Sequence, residues 1–112
     1  MVQNISVSNI DQYIIHSIEE MTKLMDTVFS DTSLHERGDD GILYIKTDDD
    51  RVQQLLNYLD DLIIVPNGSV NYQNIQRVNQ YGYRIYPGER DSFGWITGCV
   101  RKGHNGPILL FG

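Results

Sequence analysis

Residues 42–65 read ILYIKTDDDRVQQLLNYLDDLIIV, and this stretch decides the fold class. Ile42, Leu43, Tyr44 and Ile45 form a short β-rich apolar run, which predicts a strand buried on both faces. Thr47 or Asp48 then caps a helix, and Asp48, Asp49 and Asp50 place negative charge at its positive dipole end. Val52, Leu55, Leu56 and Leu59, with Leu62, supply that helix's buried stripe. Ile63, Ile64 and Val65 predict a second strand, ended by the turn Pro66-Asn67-Gly68-Ser69. Strand, helix and strand in so short a span predict a compact crossover, right-handed if the two strands run parallel.

Upstream, Ile10, Ile14, Ile18, Met21, Leu24, Met25 and Val28 recur at spacings of three and four, the stripe of an amphipathic helix. Ser8 and Asp11 resemble a capping box, which would start this helix near residue 9. Ser30, Asp31, Thr32 and Ser33 compete for the helical backbone and should stop it. HERGDDG, residues 35–41, reads as an exposed loop. Downstream, Val70, Ile75, Val78 and Tyr81 fit a short helix ended by Gly82 in a left-handed cap, and fit an irregular connection equally well. Then come a strand over Tyr83–Tyr86, a turn at Pro87-Gly88, a strand over Trp95–Arg101, the hairpin-length loop RKGHNGP and a closing strand over Ile108–Phe111. The expected architecture is α+β: two or three helices packed on a four- to five-stranded, mostly antiparallel sheet, in a single domain over residues 1–112.

Hydrophobic and charged contents of 40% and 21% are those of a globular chain, so disorder is not indicated. No apolar run approaches the roughly 20 residues of a bilayer span, and no membrane partner is expected. The opening MVQNISVSNI lacks a basic region followed by an apolar stretch, so no secretory leader is expected. A single cysteine, Cys99, excludes an internal disulfide and fits a reducing, cytoplasmic setting.

Charge divides by position. Residues 1–76 carry thirteen acidic against four basic side chains, a local net of −9, whereas residues 77–112 carry five basic against two acidic, a local net of +3. That last third also holds six of the eleven aromatic residues. Arginine beside aromatic rings suits flat anionic ligands, because guanidinium pairs bidentately with phosphate while rings stack on bases. The overall charge of −6 argues against non-specific nucleic-acid binding.

Other candidate chemistry reads as structural. His16 lies mid-helix as a surface histidine, with only Glu20 at metal-type spacing. His35 stands in an acidic loop that lacks the spacing of a calcium-binding loop. Cys99 and His104 are five residues apart, yet Cys99 lies inside a predicted strand with no nucleophile signature, so it reads as a small buried thiol. The acid pairs are sequence neighbours and point apart, as helix caps and solvated faces do. If the acids of residues 31–61 gather on one surface, they would instead imitate a phosphate rail and occupy a basic groove on another protein. The loop Arg101-Lys102-Gly103-His104-Asn105-Gly106 offers glycine amides and cations for phosphate oxygens, without the spacing of an NTP-hydrolysing loop. Phe93 and Trp95 share one face if they lie on a strand, Trp95 as core and Phe93 as core or site.

The tail GERDSFGWITGCVRKGHNGPILLFG, residues 88–112, looks like the endings of short bacteriophage and mobile-element proteins. In size, α+β pattern and Arg/aromatic tail the chain resembles the phage anti-Thoeris sponges. That resemblance implies capture of a cyclic nucleotide immune signal without hydrolysis, in a bacterial host cytoplasm; it carries over no particular residue. The expected function is therefore non-enzymatic binding of a small phosphorylated, nucleotide-like ligand, with no cofactor and no metal. Arg84, Arg90 and Arg101 would meet phosphates, Lys102 and His104 would add charge, and Tyr83 or Phe93 would stack on a base. A domain this small has little depth, so a homo-oligomer with the site at a subunit junction is a further expectation. The alternative is an acidic, DNA-mimic-like inhibitor of a basic host protein.

Overall fold

Twenty-nine consecutive residues, Val2–Ser30, form helix α1. The computed structural model describes the backbone of residues 2–64, 69–90, 96–103 and 106–112, and the side chains of residues 11–64, 69–88, 97–103 and 106–112. The helix runs through Ser8, so the Ser8/Asp11 pair is not its start. Ile18, Met21, Met25, Val28 and Phe29 are its buried stripe. Asp31 ends it: its carboxylate accepts from the Ser33 amide and caps a single 3-10 turn, Thr32–Leu34.

Strand β1 (His35–Arg37) follows and forms an antiparallel hairpin with β2 (Leu43–Ile45), joined by a turn in which Gly41 adopts a φ of 80°. The expectation of an exposed loop over 35–41 is thus corrected for its first three residues. Helix α2 (Asp50–Leu62) is N-capped by Asp49, one residue beyond the expected cap, and buries Val52, Leu55, Leu59 and Leu62.

Ile63 and Ile64 do not start a sheet strand. Their amides both bond the Leu59 carbonyl, so they finish α2, and Ile64 makes only an isolated bridge with Val70. Both are core residues, and an apolar run of this kind satisfies a buried helix end as well as a strand. Val65 and the turn 66–68 lie outside the described residues. The expected strand–helix–strand crossover is therefore replaced by two successive helices. Helix α3 (Tyr72–Asn79), capped by Asn71, realises the helical option for residues 70–82, and Gly82 ends the segment at a φ of 89°.

The rest is a meander: β3 (Tyr83–Arg90), β4 (Ile96–Lys102) and β5 (Ile108–Phe111) pair antiparallel in sequence order. Pro87-Gly88 is not a turn; β3 continues to Arg90 with a register shift between Pro87 and Arg90. β5 then returns beside β2, parallel to it, giving one five-stranded sheet in the order β1-β2-β5-β4-β3. The fold is α+β, three helices on a mixed, mostly antiparallel sheet.

Alternation along each strand separates two faces. Ile45, Tyr83, Ile85, Val100, Leu109 and Phe111 point toward the helices and join the core with Met21, Met25, Leu59 and Val78. Tyr44, Arg84, Tyr86, Cys99, Arg101, Ile108 and Leu110 point the other way, and all are exposed or half-buried. Tyr44 thus corrects the expectation of a strand buried on both sides. No helix among the described residues is long and apolar enough to cross a membrane.

Candidate functional site

The uncovered face of the sheet is built as two cross-strand rows. Register places Glu36, Tyr44, Leu110, Cys99 and Tyr86 side by side from β1 to β3. The next row brings Ile108, Arg101 and Arg84 together, and Ile42, just before β2, shares the face by alternation. Tyr44, Tyr86, Arg84, Glu36 and Ile42 of these rows are exposed, and Leu110, Cys99, Ile108 and Arg101 are half-buried. Tyr44, Leu110, Cys99 and Tyr86 of the first row line a depression of about 600 Å³, which extends toward Thr47, Thr97 and Gly112, on the side away from the arginine row. That volume is in the range of small-molecule sites.

Arg84 and Arg101 are direct cross-strand partners. Like charges directly opposite one another destabilise a sheet unless something neutralises them. The ion pairs of the described residues involve Glu20, Asp31 and Asp49, not these arginines. Nε of Arg101 is buried and has no hydrogen-bond partner among the described residues. The sheet thus holds two guanidinium groups, one with an unsatisfied donor, in the row next to that of Tyr86 and Cys99.

Local bonds hold the walls. Tyr44 donates its hydroxyl to Asp40 at 2.8 Å, and its ring lies so close over Gly38 that a Cβ there would come within 2.7 Å of ring carbon Cε2. The Ile42 amide and this phenol keep the Asp40 carboxyl below the ordinary carboxylate range, and the Tyr44 phenol is raised in turn. Cys99 is half-buried; burial raises its thiol, partly offset by the charge of Arg101, so sulfur is protonated near neutral pH. A protonated thiol is a poor nucleophile.

Of the expected ligand contacts, Arg84 and Arg101 are brought together. Tyr83 is not with them and is corrected: it is 1% exposed, on the helix-facing side. Its hydroxyl donates to Asp26 of α1, its ring tilts at 57° against Phe29 with centroids 5.2 Å apart, and it stacks on no ligand. Lys102 shares Tyr83's face, its ammonium 5.8 Å from that ring's centroid, and is separated by the sheet from the two arginines. The side chain of Arg90 and all of Phe93, Trp95 and His104 lie outside the described residues. The two exposed rings of the face, Tyr86 and Tyr44, were not among the expected contacts. Period-two alternation places Tyr86 with Arg84 and would have found it.

At the start of the loop after β4, Gly103 adopts a φ of 66° and its amide donates to the Gly82 carbonyl at 2.8 Å, so that amide is not free for phosphate. His16 lies 4.0 Å from Glu20 on the exposed side of α1. His35 is no solvated loop residue; its Nε2–H donates to the Val28 carbonyl in the last turn of α1. Asp31 and Asp49 are held below the ordinary carboxylate range, Asp31 first by Ser33 and Asp49 first by Arg51. These acids are engaged in local capping. Among the described residues no three His, Cys, Asp or Glu side chains converge as a metal site. No family model matches the chain, and no curated protein or solved structure matches it significantly.

Proposed function

We propose that this protein binds, without turnover, a small phosphorylated ligand carrying a flat ring, of nucleotide type, on the uncovered face of its sheet. The observation that carries this reading is the Arg84–Arg101 pair, opposed across β3 and β4 with a buried unsatisfied Nε, one same-face row away from Tyr86 and Cys99, which line the depression. A phosphate bridging both guanidinium groups would relieve their repulsion. Tyr86 lies two residues from Arg84 on the same face, roughly 7 Å along the strand. A ring joined to the phosphate by a sugar spans such a distance and would stack on Tyr86. Tyr44 stands three strand spacings away, roughly 14 Å, so it forms a far wall rather than the second half of a sandwich. Capture without chemistry fits a protonated Cys99 and acids engaged in caps. Cyclic nucleotides, the class implied by the resemblance to anti-Thoeris sponges, are the first ligands to try.

Isothermal titration against cyclic and linear nucleotides tests the reading. Binding is expected, and Arg84→Ala or Arg101→Ala should each weaken it roughly 10- to 100-fold, the range for a hydrogen bond to a charged group. Lys102→Ala, on the opposite face, should change Kd less than about twofold. No binding below millimolar concentration, or an Arg101→Ala variant as tight as the wild type, would overturn it. Silence toward every nucleotide together with salt-sensitive capture of a basic protein would favour the acidic-surface alternative.

A further inference from the structure

We infer that the uncovered face is self-complementary and pairs, sheet on sheet, with a second copy of this chain about a two-fold axis running along β5. The inference uses the same face as the proposed ligand site but does not depend on that reading.

Three observations meet here. First, Ile42, Tyr44 and Tyr86 are 37%, 36% and 48% exposed, and with half-buried Ile108, Leu110 and Cys99 they make a continuous apolar surface on one side of the sheet. Contiguous apolar surface of this kind marks an interaction site. Second, its charges sit at opposite borders. Glu36 lies on the β1 border, with Asp40 beside it on the Tyr44 hydroxyl; Arg84 and Arg101 lie on the β3–β4 border. Lys46, also exposed, follows β2 at the far end from the arginines. Third, β5 is the middle strand of five.

A two-fold axis along the middle strand lays β1 over the second copy's β3, β2 over its β4, and β5 on itself. Ile108 and Leu110 then meet their own copies, and Tyr44 covers Cys99. Arg84 and Arg101 come against the second copy's 38–42 turn with Asp40, and Glu36 lies one step along from Arg84. An axis across the strands would instead stack β1 on β1 and β3 on β3, bringing the acidic border against itself and the basic border against itself, so charge selects the first arrangement. Edge-to-edge pairing is disfavoured, because β3 carries Pro87 and a register shift and β1 has only three residues. Five strands about 4.8 Å apart and about five residues deep give roughly 400 Å² of flat area per copy. That is about half of a standard interface, so association should be weak and reversible.

Sedimentation velocity without nucleotide, over a wide concentration range, tests this. The wild type is expected to show a reversible monomer–dimer equilibrium. Glu36→Arg and Arg84→Glu should each weaken it at least about tenfold, since each sets like charges together. An equimolar mixture of the two variants should recover dimer, because both contacts of the two-fold pair are then again opposite in sign. A chain that stays monomeric throughout, a dimer indifferent to both substitutions, or a mixture no stronger than its components would overturn the inference. Nucleotide binding is measured separately by calorimetry on the Glu36→Arg variant, which keeps Arg84 and Arg101, so that failure of the dimer and failure of the ligand reading are distinguishable.

Discussion

Tyr83 and Tyr86 leave β3 on opposite sides, and that parity separates core from candidate site. Burial, and then the bond to Asp26, hold the Tyr83 phenol neutral far above its ordinary value. A free tyrosine ionises near pH 10. Above that pH the unfolded chain loses this proton while the folded chain keeps it, so stability contributed by Tyr83 is full below about pH 10 and declines as pH rises. Tyr83→Phe should cost roughly 1 kcal/mol at pH 7 for the lost hydrogen bond, and should flatten the loss between about pH 9 and 11. Urea titrations of both proteins at several pH values check this; an equally steep alkaline loss in Tyr83→Phe would contradict it. The parity itself was readable. In Tyr83-Arg84-Ile85-Tyr86, tyrosine 83 must share Ile85's face and Tyr86 must share that of Arg84. The attraction of an aromatic next to an arginine hid this, because sequence neighbours on a strand never point the same way.

Among the elements, α2 and the closing strand β5 follow from sequence pattern, since a 3.6-residue stripe and a bounded apolar run each have one good solution. Ile63-Ile64 had two. What decides for the helix end is Asn74, 4% exposed, whose amide donates to the Leu62 carbonyl at 2.8 Å. That bond satisfies one of the carbonyls every helix leaves open at its C-terminus, and it ties α3 to α2. Such a partner twelve residues away leaves no local trace in sequence. Asn74→Ala should destabilise the fold by about 2 kcal/mol, through a buried carbonyl left unpaired, lowering the urea midpoint without changing the slope. A loss below about 0.5 kcal/mol would mean that the Asn74 bond does not hold this junction. β1 was illegible for a different reason: His35-Glu36-Arg37 has no apolar residue, and only its pairing with β2 makes it a strand.

For the whole molecule, the segregation of charge along the chain survives in space only in part. The strand order carries β3 and β4 to one border of the sheet and β1 to the other, so Arg84 and Arg101 stand apart from Glu36 and Asp40. Lys102 is lost to the opposite face, while Tyr86 and Tyr44 are gained. Which strands neighbour one another depends on contacts far apart in sequence, and the parallel return of β5 beside β2 could not be read from either strand alone. The central claim is that the uncovered face, and not the loop after β4 or the acidic helices, receives an anionic ring-bearing ligand. Its most direct test is a ¹⁵N–¹H NMR titration of the full chain with a nucleotide that binds by calorimetry, following backbone amides and arginine Nε–H groups together. Saturable shifts should gather on Tyr44, Arg84, Tyr86, Cys99, Arg101 and Leu110, with Arg101 Nε–H moving most; shifts confined to α2, α3 or the 102–106 loop, with Arg84 and Arg101 unmoved, would contradict the account.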